Sequence, residues 1–248
     1  MAIIGIDIGG SGIKGAIVDP KTGKLLSDRV RIPTPERPKP KKIASVIYKI
    51  LTKLNYEGLI GVGFPGVVKN GITLSAANIH DDWIGCNAAE LIKDVTGQNT
   101  YILNDADAAG LAEMRFGMGK LHSKGLVLFL TIGTGIGSAF FLNGKLIPNS
   151  ELGHLEVNGK EAEARASDAI RQIKELTWRE WAGRFSDVLK TYEKLFNPDL
   201  FILGGGISSR FNKYSKYLDI NTETVPARLE NLAGIIGAAI AASENLKK

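Results

Sequence analysis

Near its start the chain reads Ile3-Ile4-Gly5-Ile6-Asp7-Ile8-Gly9-Gly10-Ser11-Gly12-Ile13-Lys14-Gly15-Ala16-Ile17-Val18. Two aliphatic, β-branched runs flank a Gly-Gly-Ser-Gly turn, a pattern that predicts a buried β-hairpin. The pattern recurs, with a single-residue gap, in Leu126-Val127-Leu128-Phe129-Leu130-Thr131-Ile132-Gly133-Thr134-Gly135-Ile136-Gly137-Ser138-Ala139-Phe140-Phe141-Leu142. This internal repeat predicts two lobes that begin with the same hairpin and a cleft that lies between the paired hairpins.

The composition is that of a globular protein, with 248 residues, 44% hydrophobic and 23% charged. It excludes a disordered chain and a coiled coil, and the length predicts one large domain or two moderate ones. We expect no membrane span, because the longest apolar runs are far shorter than the roughly 20 residues that cross a bilayer. The absence of an export signal and the lone Cys86 favour a cytoplasmic protein.

Positive charge is concentrated in one stretch of the chain. The net charge is +5, and residues 20–53 carry Lys21, Lys24, Arg29, Arg31, Arg37, Lys39, Lys41, Lys42, Lys49 and Lys53 against only Asp28 and Glu36. One interpretation is a surface that faces a polyanion. The other is a solvated loop and helix face, the more common origin of such runs.

Between and after the hairpins, the hydrophobic spacing predicts alternating helices and strands. Helices are predicted at Lys41–Leu54, Ala88–Val95, Ala106–Phe116 and Leu232–Ala242, with a helix-rich stretch over Glu161–Phe196. Strands are predicted at Leu59–Phe64, Thr100–Leu103 and Leu200–Leu203. The fold class that follows is α/β.

The glycine-rich turns are candidate phosphate sites. Gly9-Gly10-Ser11-Gly12 exposes backbone N–H groups and a hydroxyl, a combination that accepts phosphate oxygens. Lys14 supplies positive charge, and Asp7 at the strand end is suited to hold Mg²⁺ through water. The second turn, from Thr131 to Gly135, offers the same backbone with two hydroxyls. The alternative is that these glycines serve only tight hairpins, but their duplication favours a nucleotide or another polyphosphate donor.

Other phosphate-binding motifs are absent or out of context. Gly10-x-Gly12-x-x-Gly15 and Gly61-x-Gly63-x-x-Gly66 match a dinucleotide fingerprint as strings, but neither precedes a predicted helix. No Walker loop occurs in the sequence. Nicotinamide chemistry and P-loop hydrolysis are therefore disfavoured.

Polar residues follow several predicted strands. Asp105 comes directly after a strand, where a carboxylate can accept a proton from an attacking alcohol; the alternative is a helix N-cap. Glu151 and His154 share one turn and could bracket neighbouring hydroxyls of a sugar, although a lone histidine is more often structural. The Gly63-Phe64-Pro65-Gly66 loop and Asn78 add a backbone surface and an amide.

These motifs together resemble a known family. Ile6–Lys14, Gly63–Gly66, Asn104–Ala109, Thr131–Gly137 and Glu151–His154 are similar, in order and spacing, to the ROK family of sugar kinases and repressors. The resemblance implies the actin-like, ribonuclease-H-like ATPase fold. It also implies a smaller lobe of residues 1–104 plus about 234–248 and a larger lobe of residues 105–233.

The resemblance also implies a role for each matching residue. Asp105 would be the catalytic base. The sugar would be held by Gly66, Asn78, Asn104, Asp105, Glu151, His154 and Glu163, the last within a family-like Glu163-Ala164-Arg165-Ala166-Ser167. The phosphoryl donor, with Mg²⁺ near Asp7, would be held by Asp7, Gly9, Gly10, Ser11, Gly12, Lys14, Thr131, Gly133, Thr134, Gly135, Gly205 and Gly206. Zinc-containing members place three cysteines after this histidine, whereas Cys86 lies upstream, so we expect no zinc site.

Within the family the chain is similar to the polyphosphate glucokinases, through Asn78-Ile79, Trp83-Ile84-Gly85 and Leu176-Thr177-Trp178-x-x-Trp181. The expected reaction transfers a phosphoryl group from polyphosphate, ATP or both to the 6-hydroxyl of glucose, with mannose as a further acceptor. The alternatives are a kinase for glucose or an N-acetylated hexose that uses ATP only, and a sugar-binding transcriptional regulator. The resemblance also implies a homodimer, which is common among members of the family. The regulator is disfavoured because we expect no helix-turn-helix before the first hairpin and no specific nucleic-acid partner.

Overall fold

The structure is a computed structural model that describes residues 1–76 and 79–245. The chain forms two compact units. The first comprises Met1–Ala112 together with the described residues from Leu232 onward, and the second comprises Glu113–Asn231. Each unit therefore contains one copy of the repeated hairpin.

Fourteen strands lie within the described residues: β1 (Ile3–Gly9), β2 (Gly12–Val18), β3 (Val30–Ile32), β4 (Ile60–Phe64), β5 (Val68–Lys69), β6 (Ile72–Thr73), β7 (Thr100–Asn104), β8 (Leu126–Ile132), β9 (Ile136–Leu142), β10 (Lys145–Ile147), β11 (Glu156–Val157), β12 (Lys160–Glu161), β13 (Leu200–Gly204) and β14 (Glu223–Pro226). The α-helices of the same residues are α1 (Pro40–Lys53), α2 (Ala88–Thr96), α3 (Asp105–Phe116), α4 (Ala162–Ala166), α5 (Asp168–Ile173), α6 (Trp178–Phe196), α7 (Phe211–Tyr214) and α8 (Ala233–Asn245). No helix of residues 1–76 and 79–245 has the length and apolar character needed to cross a membrane.

Each unit is built on a five-stranded sheet with the same pattern. The first sheet has the order β3-β2-β1-β4-β7, and the second has the order β10-β9-β8-β13-β14. In both, three antiparallel strands are followed by two parallel ones. The hairpin registers run from Ile3↔Val18 to Gly9↔Gly12 and from Leu126↔Leu142 to Ile132↔Ile136. The predicted α/β class and the duplicated hairpin are confirmed.

In the first unit, α8 lies directly against the sheet. It contacts β1 and β4, and its residues from Ala233 to Ala242 are mostly buried. A Cβ atom at Gly5 would overlap the carbonyl oxygen of Ile235, and one at Gly61 would overlap that of Ala238. The two glycines therefore allow the helix backbone to approach the strands more closely than any side chain would permit.

The second unit has an aromatic core around α6. This helix begins with a capping box in which Thr177 and Glu180 satisfy each other's backbone N–H groups. Its inner face buries Trp181, Phe185 and Tyr192. The Trp181 ring packs edge-on against Tyr214, with ring centroids 5.0 Å apart. Burial of these large rings supplies much of the apolar area that stabilises the unit.

Two buried tyrosines of this core differ in their hydroxyl contacts. The Tyr192 hydroxyl donates to the Leu152 carbonyl at 2.7 Å, whereas the buried Tyr214 hydroxyl has no hydrogen-bond partner within the described residues. We expect Tyr214→Phe to leave the free energy of unfolding unchanged or to raise it by up to about 1 kcal/mol, because an unsatisfied polar atom is removed. Tyr192→Phe should lower it by about 1–2 kcal/mol, since it leaves the Leu152 carbonyl unpaired.

Urea unfolding of the two single variants beside the unaltered protein measures both values. A loss of stability in Tyr214→Phe equal to that in Tyr192→Phe would contradict this interpretation of the two hydroxyls.

The structure differs from the sequence prediction mainly in short elements. The strands β3, β10 and β14 were not predicted, because three or four residues are too few to show a hydrophobic period. The helix α3 begins at Asp105 rather than at Ala106.

Candidate active site

The first hairpin pairs a carboxylate with an ammonium group next to its turn. Asp7 and Lys14 are register partners on β1 and β2. Their side chains form a salt bridge, with Lys14 Nζ 3.1 Å from Asp7 Oδ2, and only 21% and 18% of the two side chains are exposed. The negative charge of Asp7 and the positive charge of Lys14 offset each other. These two predicted donor-binding residues together therefore carry no net charge.

The turn from Gly9 to Gly12 is held at both ends by side chains from β3 and the residues after it. Thr34 donates its hydroxyl to the Gly9 carbonyl at 2.5 Å, and Arg31 Nη2 donates to the Ser11 carbonyl at 2.7 Å. A Cβ atom on Gly10 would meet no atom within 4 Å, so this side of the turn is open. Two carbonyl oxygens are thereby occupied, which favours the approach of an anion to the remaining N–H groups.

Sequence reasoning missed Arg31 and Thr34 as parts of this turn. The sequence gives little indication of their role. Arg31 lies in a strand of only three residues that was not predicted, and Thr34 lies just after it. The contact of β3 with β2, which places Arg31 opposite Lys14, is a long-range feature that no local pattern carries.

The end of β7 brings three of the predicted sugar residues together. Asn104 is buried, its Oδ1 accepts the N–H groups of Ala106 at 2.8 Å and Asp107 at 3.0 Å, and its Nδ2 donates to the Gly66 carbonyl at 3.2 Å. Asn104 therefore caps α3, which explains why the helix begins one residue earlier than predicted. Asp105 is the first helical residue, and its Oδ1 accepts the Ala106 N–H at 2.8 Å. Asn78, the other predicted sugar ligand of this unit, lies outside the described residues.

In the second unit the turn between β8 and β9 is closed by backbone hydrogen bonds. Gly133 donates its N–H to the Gly135 carbonyl at 3.0 Å and accepts from Ala169 at 3.1 Å. Thr131, the penultimate residue of β8, is partly exposed, and Thr134 is exposed in the turn. The turn has no charged residue of its own between Thr131 and Gly135, in agreement with the sequence.

The two glycines after β13 lie beside this turn. Gly204 pairs with Thr131 in the parallel ladder, so Gly205 and Gly206 leave the sheet next to the end of β8. Gly205 has a φ of +80°, and a Cβ atom there would collide with the backbone of Ile132. The structure thus brings together the predicted donor residues of the second unit.

A polar network fixes the segment that carries Glu151 and His154. The Ser138 hydroxyl of β9 donates to the Ser150 carbonyl at 2.7 Å and accepts the Leu152 N–H at 3.0 Å. The Leu152 carbonyl in turn accepts the Tyr192 hydroxyl. Residues 150–152 are therefore anchored to both β9 and α6.

The side chains of Glu151 and His154 lie close enough for an electrostatic interaction but too far apart for a hydrogen bond. His154 Nε2 lies 4.0 Å from Glu151 Oε2, while His154 Nδ1 lies 3.4 Å from Glu161 Oε2. Desolvation raises the pKa of the Glu151 carboxyl above its usual 4.5; the nearby His154 opposes this rise, and the charge of Glu163 adds to it. A carboxyl with a raised pKa in a polar cluster is typical of a functional site.

Glu163, one of the sugar-binding residues that the resemblance implies, contacts the strand that follows the second glycine turn. Its Oε2 accepts the N–H of Ile136, the first residue of β9, at 3.2 Å. One ligand atom each from His154, Glu161 and Glu163 lie within 4.8 Å of one another, a grouping that could hold a metal ion. A zinc site with cysteine ligands cannot form there, because the sequence has only Cys86.

Comparison with known proteins identifies the family. The family model described as "ROK family" matches residues 3–168, more than half of the chain. The chain belongs to the ROK family. The matched range includes all the predicted site residues except Gly205 and Gly206, which follow it.

Individual ROK relatives match over nearly the whole chain. A polyphosphate glucokinase of Mycobacterium tuberculosis (strain CDC 1551 / Oshkosh) is 51% identical over 238 residues, which cover 96% of this chain and 89% of that protein. The polyphosphate glucokinase of Mycobacterium leprae (strain TN) is 48% identical over 243 residues, covering 98% and 75%. The crystal structure of inorganic polyphosphate/ATP-glucomannokinase from Arthrobacter sp. strain KM superposes with a TM-score of 0.94 at 45% identity, covering 100% and 99%. The actin-like fold expected of a ROK protein is thereby confirmed.

Proposed function

We propose that this ROK protein is a hexokinase that transfers a phosphoryl group from inorganic polyphosphate, from ATP or from both to the 6-hydroxyl of glucose. The observation that carries the proposal is the 51% identity, over 96% of the chain, to a polyphosphate glucokinase. The similarity to a polyphosphate/ATP-glucomannokinase supports both donors and adds mannose as a second acceptor.

The proposed base is Asp105. It follows a parallel strand directly, at the sheet edge where α/β proteins bind ligands, and the Asn104 cap fixes the start of its helix. In the reaction the 6-oxygen of the sugar bonds to the terminal phosphorus of the donor as the bridging P–O bond breaks. The leaving phosphate chain keeps the bonding electron pair, and the hydroxyl proton passes to the Asp105 carboxylate.

The donor phosphates are assigned to the two glycine turns. In the first turn, formed by Gly9, Gly10, Ser11 and Gly12, the chain is open at Gly10. In the second unit it is open at Gly133 and Gly206, and the other proposed donor contacts, Thr131, Thr134, Gly135 and Gly205, lie beside them. Positioning and electrostatic stabilisation supply most of the rate enhancement in such a reaction. Lys14 adds positive charge beside the first turn, shared with Asp7.

The residues of the first turn also fit Mg²⁺. Asp7 presents one carboxylate next to a phosphate-binding turn, and its Oδ2 is engaged by Lys14. Mg²⁺ is usually held by one or two carboxylates, substrate phosphates and several waters, so Asp7 would hold it through water. When bound, Mg²⁺ supplies positive charge to the donor oxygens.

The sugar hydroxyls are assigned to side chains that the fold holds in place. Glu151 and Glu163 would accept hydrogen bonds from hydroxyls, and His154 would donate or accept one. Asn104, the Gly66 backbone and Asn78 are the proposed sugar contacts of the first unit. Glu163 already accepts a bond from Ile136 through Oε2, so its Oε1 is the oxygen proposed for the sugar.

Glucose affinity should depend on pH through Glu151. Its pKa is raised above 4.5, mainly by desolvation, so its carboxylate becomes protonated at a higher pH than that of an exposed glutamate. The ionised form is the better acceptor for a sugar hydroxyl. We therefore expect the KM for glucose to be constant above the folded pKa of Glu151 and to rise as the pH falls through it. Measuring KM from pH 7 downward at saturating donor checks this.

The matched control is Glu151→Gln, which cannot titrate. We expect a higher KM in this variant at pH 7 and no further rise on acidification. An acid rise of KM that persists unchanged in Glu151→Gln would assign the titration to another group.

The proposed function is tested by a matrix of assays. Formation of sugar 6-phosphate is measured with glucose, mannose and N-acetylated hexoses, each with ATP and with polyphosphate. We expect product from glucose with both donors. Product only from an N-acetylated hexose with ATP would replace the proposal by the corresponding ATP-dependent kinase.

A further inference from the structure

Arg31 covers the first glycine turn. It lies on β3 opposite Lys14 of β2, and its Nη2 donates to the Ser11 carbonyl at 2.7 Å and contacts the Ser11 hydroxyl at 3.5 Å. A Cβ atom on Gly12 would lie only 2.6 Å from Arg31 Nε and 2.8 Å from its Cζ. The glycine at position 12 therefore makes room for a guanidinium group that rests directly on the turn.

The positive charge of Arg31 is not neutralised by the protein near it. Within residues 1–76 and 79–245, no carboxylate forms an ion pair with Arg31, whereas Lys14 is paired with Asp7. The hydrogen bonds of Arg31 in that part of the chain all go through Nη2 to neutral oxygens. Its Nε–H and Nη1–H groups remain for an anion, and guanidinium groups bind phosphate oxygens well.

The segment that carries Arg31 is fixed to the turn at a second point. Thr34, three residues further along, donates to the Gly9 carbonyl at 2.5 Å. Arg31 and Thr34 thus bind the two ends of the same turn. The two contacts, at Gly9 and at Ser11, flank Gly10, so the guanidinium group is held beside the position proposed for a phosphate chain.

We propose that Arg31 is a donor-binding residue that contacts phosphates of polyphosphate beyond the third unit, where ATP carries its nucleoside instead, and so favours polyphosphate over ATP. The inference rests on the proposed function and deepens it. Polyphosphate carries negative charge on every unit of its length, whereas ATP ends in a neutral nucleoside. A cation beside the turn therefore gains an additional partner only from the longer donor.

The test is Arg31→Gln, which removes the charge but keeps a polar side chain. We expect the KM for polyphosphate to rise roughly tenfold, the usual scale for losing one charge-assisted hydrogen bond, and the KM for ATP to change less than about twofold. The dependence of log KM on log salt concentration for polyphosphate should become shallower by about one unit, because one phosphate contact is lost. A purely structural role of Arg31 in the shared turn would impair both donors and would leave this slope unchanged.

The matched control is Lys93→Gln, which removes the same charge at an exposed residue in the last turn of α2, outside the basic stretch of residues 20–53. This end of α2 leads into the start of β7, which runs parallel to β4 and, through it, to β1. The glycine turn is at the other end of β1, one strand length or roughly 20 Å away. Lys93→Gln should leave the KM for both donors and the salt dependence unchanged.

Two results would overturn the inference. One is an unchanged KM for polyphosphate in Arg31→Gln, and the other is an equal rise with both donors. If either occurs while the unaltered protein uses polyphosphate, the proposed function stands and only the role of Arg31 fails. If the unaltered protein phosphorylates glucose with ATP alone, both the polyphosphate donor and the role of Arg31 are excluded. Thermal unfolding of each variant verifies that it is folded at the assay temperature.

Discussion

Asp105→Asn should lower kcat by about 10³- to 10⁴-fold while glucose still binds. A positioned general base contributes up to roughly this factor, and an amide cannot accept the proton of the 6-hydroxyl. The substitution leaves the fold intact, since the cap of α3 is formed by Asn104 and an amide oxygen at position 105 can still accept the Ala106 N–H. Single-turnover rates with polyphosphate and with ATP, together with calorimetric titration of glucose, measure the two quantities separately.

The matched control for this variant is Asp94→Asn, which changes an exposed aspartate of α2 in the same unit. It should retain normal turnover. Turnover of Asp105→Asn within tenfold of the unaltered protein would remove Asp105 from the proposed mechanism.

Gly61→Ala should destabilise the protein by about 2–4 kcal/mol and could prevent its accumulation in soluble form. The added methyl group would overlap the carbonyl oxygen of Ala238 and would lie 3.0 Å from the N–H of Ala239, so α8 must move away from β4. Overpacking against a rigid backbone costs more than overpacking against a side chain that can rotate. The free energy of unfolding in urea measures the loss.

Gly183→Ala, in the middle of α6, is the control for the effect of a methyl group as such. A Cβ atom there meets nothing within 4 Å, so we expect a gain of about 0.5–1 kcal/mol from helix propensity. Equal stability of Gly61→Ala and the unaltered protein would show that the helix is not held at the distance described.

Long, fully buried elements could be predicted from the sequence. The aliphatic runs of β1 and β8 and the glycine turns after them defined the repeat, and the structure confirms both hairpins. The helix α8 was predicted to end at Ala242, three residues before its observed end at Asn245. The Ala- and Ile-rich segment is longer than an ordinary strand, which favours a helix. These features depend only on local hydrophobicity and turn chemistry.

Features that depend on tertiary contacts could not be predicted. The sequence places Asp7 and Lys14 seven residues apart, and only the hairpin register makes them partners in an ion pair. The bond between Glu163 and Ile136 joins residues separated by 27 positions. The Asn104 cap was missed because Asn and Asp are both good N-caps, so the pair Asn104-Asp105 left the helix start ambiguous.

The packing of α8 against β1 and β4 has a consequence for synthesis of the chain. The first unit receives this helix only after the whole second unit, Glu113–Asn231, has been translated. Until α8 has been synthesised, the surface of β1 and β4 that contains Gly5 and Gly61 cannot pack against it. The second unit, in contrast, is one continuous segment of the chain. The later half of the protein can therefore mature first, and the earlier half must wait for it, in contrast to the usual order in which domains fold from the N-terminus.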